Sequence, residues 1–299
     1  MPNYNSIQEI AHTLHNDIRN NPNIDFNRIN TLIDNVASDL RQKNNHKSEL
    51  ELIHQFLPHD FINDSLIGHL IQKPYGYPED FRFLDGIHTN FISDNYPNWD
   101  QFLQNSSLAK SLRFRKQYFE KTIEDTLREK SKINALIIAA DSGHLLPSTL
   151  KKYAKSMTVD ILEWNDNAVH YNKVLTQKWL PNIRFFKNSF MNYHPEEKYD
   201  IVWIAGIFDY LDNHSFEEHL NRALSWKKNK GEIILVNFSP NNASKNIMEI
   251  LLNWKVAHRS KTELINLAYH CGFHRSQIRL ETDITKSNHF MHLHKNMVH

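Results

Sequence analysis

Cysteine, glycine and an excess of either charge are nearly missing from this 299-residue sequence. Cys271 is the only cysteine, which excludes an internal disulfide and favours a reducing compartment. The 35 lysines and arginines almost balance the 34 aspartates and glutamates, and the formal net charge is +1. Proteins that bind nucleic acid usually carry an excess of basic residues, so the composition argues against such a partner.

Long apolar segments are missing as well. No apolar run approaches the roughly 20 residues that are needed to span a bilayer. Residues 1–5 also lack the basic and then apolar pattern of a secretory signal. We therefore expect a soluble, cytoplasmic protein without a membrane span. The hydrophobic fraction of 40% is sufficient for a substantial core, and this length suits one large domain or two small ones.

The sequence contains only 7 glycines, and one of them, Gly143, follows the apolar run Asn134–Ala140. This run is short and partly β-branched, as is typical of a buried parallel strand. A second apolar run, Met157–Leu162, ends at Glu163, 20 residues after Gly143. Dinucleotide-type folds have about this distance between the turn glycine, which lets the backbone approach the ligand, and the acid that binds ribose hydroxyls. The alternative is an ordinary α/β turn followed by a surface acid.

The first 72 residues have the apolar spacing of helices. Apolar residues recur at intervals of three and four, for example at Ile7, Ile10 and Leu14. Asn21–Asn23 and Pro58 separate consecutive helices. No pattern of charged or aromatic residues here indicates chemistry, so we predict a helical cap or a partner-binding layer.

Strand and helix patterns then alternate five times. Strands are predicted at 134–140, 157–162, 183–187, 199–205 and 232–238, and helices at 150–155, 167–180, 215–226, 248–254 and 262–269. Residues 277–281 and 289–293 alternate like the strands of a hairpin. Such alternation predicts an α/β fold with right-handed crossovers between parallel strands.

Five such units and a terminal hairpin resemble the outline of a class I S-adenosylmethionine-dependent methyltransferase. The implied fold is Rossmann-like, with a seven-stranded, mostly parallel sheet and a C-terminal antiparallel hairpin. We place an N-terminal helical cap or lid at residues 1–120 and the S-adenosylmethionine-binding domain at 121–299.

Short motifs make the resemblance more specific. The turn Pro74–Phe81 resembles the P-Y-G-Y-x-G-D-F signature of a bacterial methyltransferase family described as 3-hydroxy-fatty-acid methyl ester biosynthesis proteins. Further blocks in the same order are Tyr96–Asp100, Arg113–Phe119, Ala205–Leu211 and Met248–Arg259. The resemblance covers residues 70–299 and implies S-adenosylmethionine as co-substrate. The implied reaction is biosynthetic methyl transfer to a small-molecule or lipid-like nucleophile.

Two departures from the family pattern leave other functions open. Asp141-Ser142-Gly143-His144 stands where the family has G-x-G-P, and Glu79 replaces a signature glycine. Residues 142–148 also resemble the S-G-P-L-P-x-[ST] loop of nicotianamine synthase, which transfers the aminocarboxypropyl arm of the same co-substrate. Attack on that arm, including cyclisation to azetidine-2-carboxylate, releases methylthioadenosine. A second alternative is a non-catalytic binding module.

The resemblance implies roles for residues at the strand ends. Glu163 would accept hydrogen bonds from the ribose hydroxyls, and Trp164 would stack beside adenine or fill the edge of the core. Asn188 and Ser189 would contact the adenine amino group or form an ordinary turn. Gly206 would let the backbone pass close to the methionine part, or would simply be a turn glycine.

Two charged side chains are further candidates for binding the co-substrate. The Asp141 carboxylate would hold the α-ammonium group. Arg115, like Arg113, would pair with the carboxylate of the co-substrate or with an acidic substrate. The alternative for both arginines is a solvated helix face.

Four residues are candidates for catalysis. The aromatic faces of Tyr75 and Tyr77 would attract the sulfonium, by roughly 0.5–2 kcal/mol. The alternative for this pair is a hydrophobic hinge. Asp209 and Tyr210 follow a strand at the carboxyl edge of the sheet, where α/β folds bind ligands, and either would orient or deprotonate a nucleophile.

The 19 histidines raise the question of a metal site. His270 and His274 form one candidate group, and His289, His292 and His294 form another. Neither a cysteine cluster nor an H-E-x-x-H motif accompanies them, so we predict that no metal is bound.

Overall fold

The computed structural model describes residues 4–20, 24–41, 47–138 and 142–294. The chain divides into two compact units, which we call the helical unit (Met1–Lys110 and Ala243–Lys255) and the sheet unit (Ser111–Asn242 and Val256–His299). The helical unit thus ends before the predicted boundary at residue 120. It also includes a second segment, Ala243–Lys255, that we did not predict.

The helical unit confirms the helices predicted from apolar spacing. Its helices are α1 (Tyr4–Asn20), α2 (Phe26–Arg41), α3 (Lys47–Gln55), α4 (His59–Asp64), α5 (Leu66–Gln72), α6 (Phe81–His88) and α7 (Pro97–Asn105). Apolar residues at spacings of three and four, such as Ile10, Leu14, Ile29 and Ile33, are completely buried. Burial of one apolar stripe per helix is what stabilises such short helices.

The segment that we predicted as a regular helix over 248–254 has a different form. A π-helical turn occupies Ile247–Leu251. Two residues after it, Asn253 adopts a left-handed backbone conformation with a φ of 47°. Asparagine tolerates this conformation better than most residues, and the conformation ends the helix.

The sheet unit alternates strands and helices. Its elements are α8 (Ser107–Glu129), which contains the boundary between the units, β1 (Ile133–Ile138), α9 (Ser142–Tyr153), β2 (Met157–Leu162), α10 (Asp166–Leu175), β3 (Ile183–Phe186), β4 (Tyr199–Ile204), α11 (Asn213–Leu224), β5 (Lys227–Phe238), α12 (Lys261–His270), β6 (Ile278–Thr282) and β7 (Asn288–Leu293).

The seven strands form one sheet in the order β3-β2-β1-β4-β5-β7-β6. Strands β1 to β5 pair in parallel, and β7 pairs antiparallel with both β5 and β6. The predicted seven-stranded, mostly parallel sheet with a C-terminal antiparallel hairpin is therefore confirmed.

Both faces of the sheet are covered by apolar side chains. Successive residues of β1 alternate between two buried clusters, with Leu136 in one and Ile137 in the other. β4 is buried along its whole length. Burial on both faces requires continuous apolar strands, which explains why the parallel strands were readable as apolar runs. No helix in the described part of the chain is both long and apolar enough to cross a bilayer.

Candidate functional site

The candidate site lies at the carboxyl ends of the parallel strands, where open α/β sheets bind ligands. The ends of β3, β2, β1 and β4 are neighbours in that order, so residues that follow these strands lie along one edge. The residues at this edge that we predicted from the sequence are Gly143, Glu163, Trp164, Asn188, Ser189 and Gly206. Asp141 lies outside the described residues.

Glu163 directly follows β2 and is only 3% exposed. Its Oε1 accepts a hydrogen bond from the main-chain N–H of Asn165 at 2.9 Å, and its own N–H donates to the carbonyl of Phe186 at 3.0 Å. Burial raises the pKa of the Glu163 carboxyl to about 7, although the N–H groups of Asn165 and Trp164 oppose this shift. The alternative of a surface acid is therefore wrong.

The two residues after Glu163 have contrasting environments. Trp164 is 60% exposed, so it does not fill the edge of the core, and stacking on adenine remains a prediction. Asn165 begins α10 as its N-cap, and its Oδ1 accepts from the N–H of Asn167 at 2.9 Å. We missed this residue, although an asparagine just before a helix is a recognisable cap signal.

Asn188 and Ser189 form a turn after β3. The Asn188 Oδ1 accepts from the Ser189 N–H at 2.9 Å, and the Ser189 carbonyl accepts from Asn192 and Tyr193 at 3.2 and 3.1 Å. The turn interpretation is thus confirmed, and the contact with adenine stays a prediction. Gly206, after β4, has a φ of 72°, which favours glycine at this turn.

Gly143 has a packing role that the sequence did not reveal. A Cβ at this position would lie 2.4 Å from Oδ1 of Asn172 and 3.0 Å from Cδ1 of Leu175, both on α10. The missing side chain therefore lets the first turn of α9 pack against α10. Approach of the Gly143 backbone to a ligand remains a prediction.

Replacing Gly143 with alanine is expected to destabilise the protein by about 1–3 kcal/mol because the fully buried Asn172 must move. Helix propensity alone would give the opposite sign, a gain of up to about 1 kcal/mol. Urea denaturation measures the change. Adding Asn172→Ala should reduce the cost of the Gly143 substitution, and a stabilised single variant would contradict the packing role.

The stretch that resembles the nicotianamine synthase loop is not a loop here. Residues 142–148 form the first turns of α9, with Pro147 inside the helix. The resemblance to nicotianamine synthase is therefore one of sequence only, because these residues are helical here.

Asp209 lies in a 3₁₀ turn, Phe208–Tyr210, and is 1% exposed. Its Oδ1 accepts from the N–H of Phe238, at the end of β5, at 2.6 Å. Arg259 is 4% exposed and donates to the carbonyl of Phe208 at 2.8 Å and to that of Leu211. Arg259, the last residue of the resembling block Met248–Arg259, is therefore hydrogen-bonded to the block Ala205–Leu211.

Arg115, on α8, is completely buried, so a solvated helix face is wrong for this residue. Its guanidinium carbon lies 5.3 Å from the centre of the Phe238 ring, and its Nη2 donates to Oδ1 of Asn288 at 3.4 Å. Arg115 and Asp209 thus both contact Phe238 at the carboxyl end of β5. Tyr210, beside Asp209, is 44% exposed.

The tyrosine turn belongs to the helical unit. Gly76 has a φ of 88°, and its N–H donates to the carbonyl of Lys73 at 2.8 Å. No atom lies within 4 Å of a Cβ built there, so backbone conformation rather than space favours glycine. The Tyr75 ring packs 4.6 Å from the Phe81 ring.

The end of the same motif is a capped helix. Asp80 is completely buried, and its Oδ1 accepts from the N–H groups of Arg82 and Phe83 at 2.9 Å each. A ring nitrogen of His69 lies 2.8 Å from its Oδ2. Asp80 therefore fixes the start of α6, and the catalytic roles of Tyr75 and Tyr77 remain predictions.

The candidate group His289, His292 and His294 is divided between the two faces of β7. His289 lies on the opposite face of β7 from His292 and His294, and its ring bonds to the hydroxyl of Thr282 at 2.9 Å. His270 bonds to Glu217 at 2.8 Å. Within the described ranges, His292 and His294 converge with Glu232, which we had not considered.

The comparisons with known proteins find similarity in fold. No protein-family model matches the sequence, and no curated protein matches it. Among solved structures, a possible exported protein from Bordetella parapertussis is 12% identical with a TM-score of 0.59, covering 98% of this chain and 96% of its own. A Nostoc punctiforme protein proposed to be an O-methyltransferase is 13% identical with a TM-score of 0.52. The match covers 97% of this chain and 94% of that protein. The chain therefore has the class I methyltransferase fold, as its strand order also indicates.

Proposed function

We propose that this protein is an S-adenosylmethionine-dependent methyltransferase that acts on a small-molecule or lipid-like nucleophile. The observation that carries the proposal is the buried carboxyl group of Glu163 at the end of β2. β2 pairs with β1, and open α/β sheets bind ligands at the carboxyl ends of such strands. A carboxyl group buried at a strand end is costly unless a ligand donates hydrogen bonds to it.

Several residues fit the adenosine part of the co-substrate. Glu163 would accept from both ribose hydroxyls, and the exposed Trp164 ring would stack on adenine. Asn188 and Ser189 are exposed at the neighbouring strand end and would contact the adenine amino group.

The methionine part of the co-substrate would be bound by other groups. The N-terminus of α9, with Gly143 in its first turn, would bind the carboxylate end through its main-chain N–H groups. Asp141 and Arg115 would hold the charged groups of the methionine part.

Bound S-adenosylmethionine supplies an electrophilic methyl group on a sulfonium. Methyl transfer is an in-line nucleophilic displacement. Positioning of the nucleophile therefore provides most of the rate enhancement, and a strong base is not required. By the family resemblance, Tyr75 and Tyr77 are the candidates for attracting the sulfonium, and Tyr210 is the candidate for orienting the nucleophile. We assign Asp209 to positioning, because its buried carboxylate already holds the main chain of Phe238.

The motifs quoted for the family support methyl transfer to a small-molecule or lipid-like nucleophile. The bonded unit of Ala205–Leu211 with Arg259 gives two of these motifs a common physical role. The Nostoc punctiforme structure, which is proposed to be an O-methyltransferase, agrees with this reaction class.

Mass spectrometry of the products tests the proposal. Purified protein is incubated with S-adenosylmethionine alone and then with candidate acceptors, including 3-hydroxy fatty acids and small amines. We expect S-adenosylhomocysteine to appear only with an acceptor. Methylthioadenosine formed without an acceptor would instead mean attack on the aminocarboxypropyl arm. If calorimetry detects no binding of S-adenosylmethionine, only a non-catalytic module remains.

A further inference from the structure

Three potential metal ligands converge on one face of the sheet: Glu232 on β5, His292 on β7 and His294 just past the end of β7. His292 and His294 approach the same carboxylate oxygen of Glu232, with distances of 2.5 Å from His292 Nδ1 and 2.7 Å from His294 Nε2. The ligand atoms all lie within 4.8 Å of one another. Because His292 pairs with Ile234, and residues two apart share a face, the strand register itself brings these side chains together.

This cluster is separate from the candidate co-substrate site. Glu232 lies six residues before Phe238, the last residue of β5, and this corresponds to about 20 Å along the strand. The co-substrate site is at the carboxyl ends of the parallel strands, whereas His294 and Glu232 lie toward the opposite edge.

We propose that Glu232, His292 and His294 form a binding site for a divalent transition-metal cation, with zinc as the best match. Two imidazoles and one carboxylate are a common zinc donor set and leave a fourth position for water. The His294 side chain is 52% exposed, which gives a cation access from solvent, while His292 is 1% exposed and held in place.

The surroundings prepare these groups for metal binding. The remaining ring nitrogen of His292, Nε2, lies 2.7 Å from the hydroxyl of Tyr118. Such an outer partner fixes the ring orientation of a metal-binding histidine.

Arg279 is the group that competes with a cation. Its Nη2 lies 2.8 Å from Nδ1 of His292 and 3.8 Å from the Glu232 carboxylate. Its side chain is 56% exposed and already bonds to Glu281. Metal binding therefore requires the guanidinium to turn away from His292 while it keeps its bond to Glu281.

The experiment is a titration of the full chain, without an affinity tag, with zinc chloride in a calorimeter. Cobalt is used in parallel because its visible absorption reports the coordination geometry. We expect one equivalent to bind, and the cobalt spectrum to be that of a four-coordinate site. His294→Ala and Glu232→Gln should each weaken zinc binding by at least about 100-fold. Loss of a residue that only supports a metal ligand already costs up to about 100-fold, and these variants remove a ligand itself.

Two further variants distinguish a metal site from a purely structural network of charged side chains. His170→Ala removes an exposed histidine on α10 and should bind zinc like the parent protein. Arg279→Ala removes the competing cation and should tighten binding, whereas a structural charge network would only lose stability. The proposal is overturned if no stoichiometric binding is seen, or if His170→Ala and His294→Ala weaken binding equally.

Discussion

Replacing Glu163 with alanine is expected to weaken the binding of S-adenosylhomocysteine by at least about 3 kcal/mol, roughly 150-fold. Two ribose hydroxyls would donate to a charged carboxylate, and each such hydrogen bond contributes about 1.5–3 kcal/mol. Glu163 is only 3% exposed, so the alanine variant loses a buried charged acceptor for both hydroxyls. Calorimetry at pH 8 measures the affinity with an unreactive ligand.

Asp166 provides the matched control, because its carboxylate lies three residues after Glu163 but is 72% exposed and pairs with Lys187. Asp166→Asn should leave the affinity unchanged. If Glu163→Ala binds like the parent protein, Glu163 is not the ribose acceptor.

The same carboxyl predicts how binding depends on pH. Its pKa is raised to about 7 in the free protein, and the ligand hydroxyls favour the ionised form. The affinity should therefore fall by nearly tenfold per pH unit below about pH 7 and become constant above it. Glu163→Gln should bind weakly at every pH and lose this dependence.

The parallel strands were predictable because a strand that is buried on both faces is a continuous apolar run. The bounds of β2, Met157–Leu162, were predicted without error. The start of α9 was not, because Gly143 and Pro147 disfavour a helix locally. The packing of Gly143 against Asn172 helps to hold that turn, and this contact joins residues far apart in sequence.

Position along the sheet edge was also predictable, since the residue after a parallel strand lies at its carboxyl end. The environment of each side chain was not. For Arg115 the sequence left a solvated helix face open beside a binding role, but the Phe238 ring and Asn288 cover this side chain. Glu232 could not be grouped with His292, because only the pairing of β5 with β7 brings them together.

Replacing Glu163 with glutamine should increase the stability of the unliganded protein at alkaline pH. The raised pKa means that the folded protein holds the proton more tightly than the unfolded chain does. The parent protein therefore keeps the full benefit of the neutral carboxyl below about pH 4.5 and loses it as the pH rises through 7. Glutamine stays neutral and can still accept from the N–H of Asn165, so it avoids this loss.

The free energies of unfolding of both proteins, measured in urea at pH 5 and pH 8, give the test. The advantage of Glu163→Gln should grow by about 2–3 kcal/mol between these two pH values, since one pKa unit corresponds to about 1.4 kcal/mol. Asp166→Asn, at an exposed carboxyl, should change little over the same range. A stability advantage that does not grow with pH would mean that burial does not disfavour the ionised form of the Glu163 carboxyl. If the stability advantage of Glu163→Gln grows with pH while ligand affinity is lost, then Glu163 lowers the stability of the free protein and is retained because it binds the ligand.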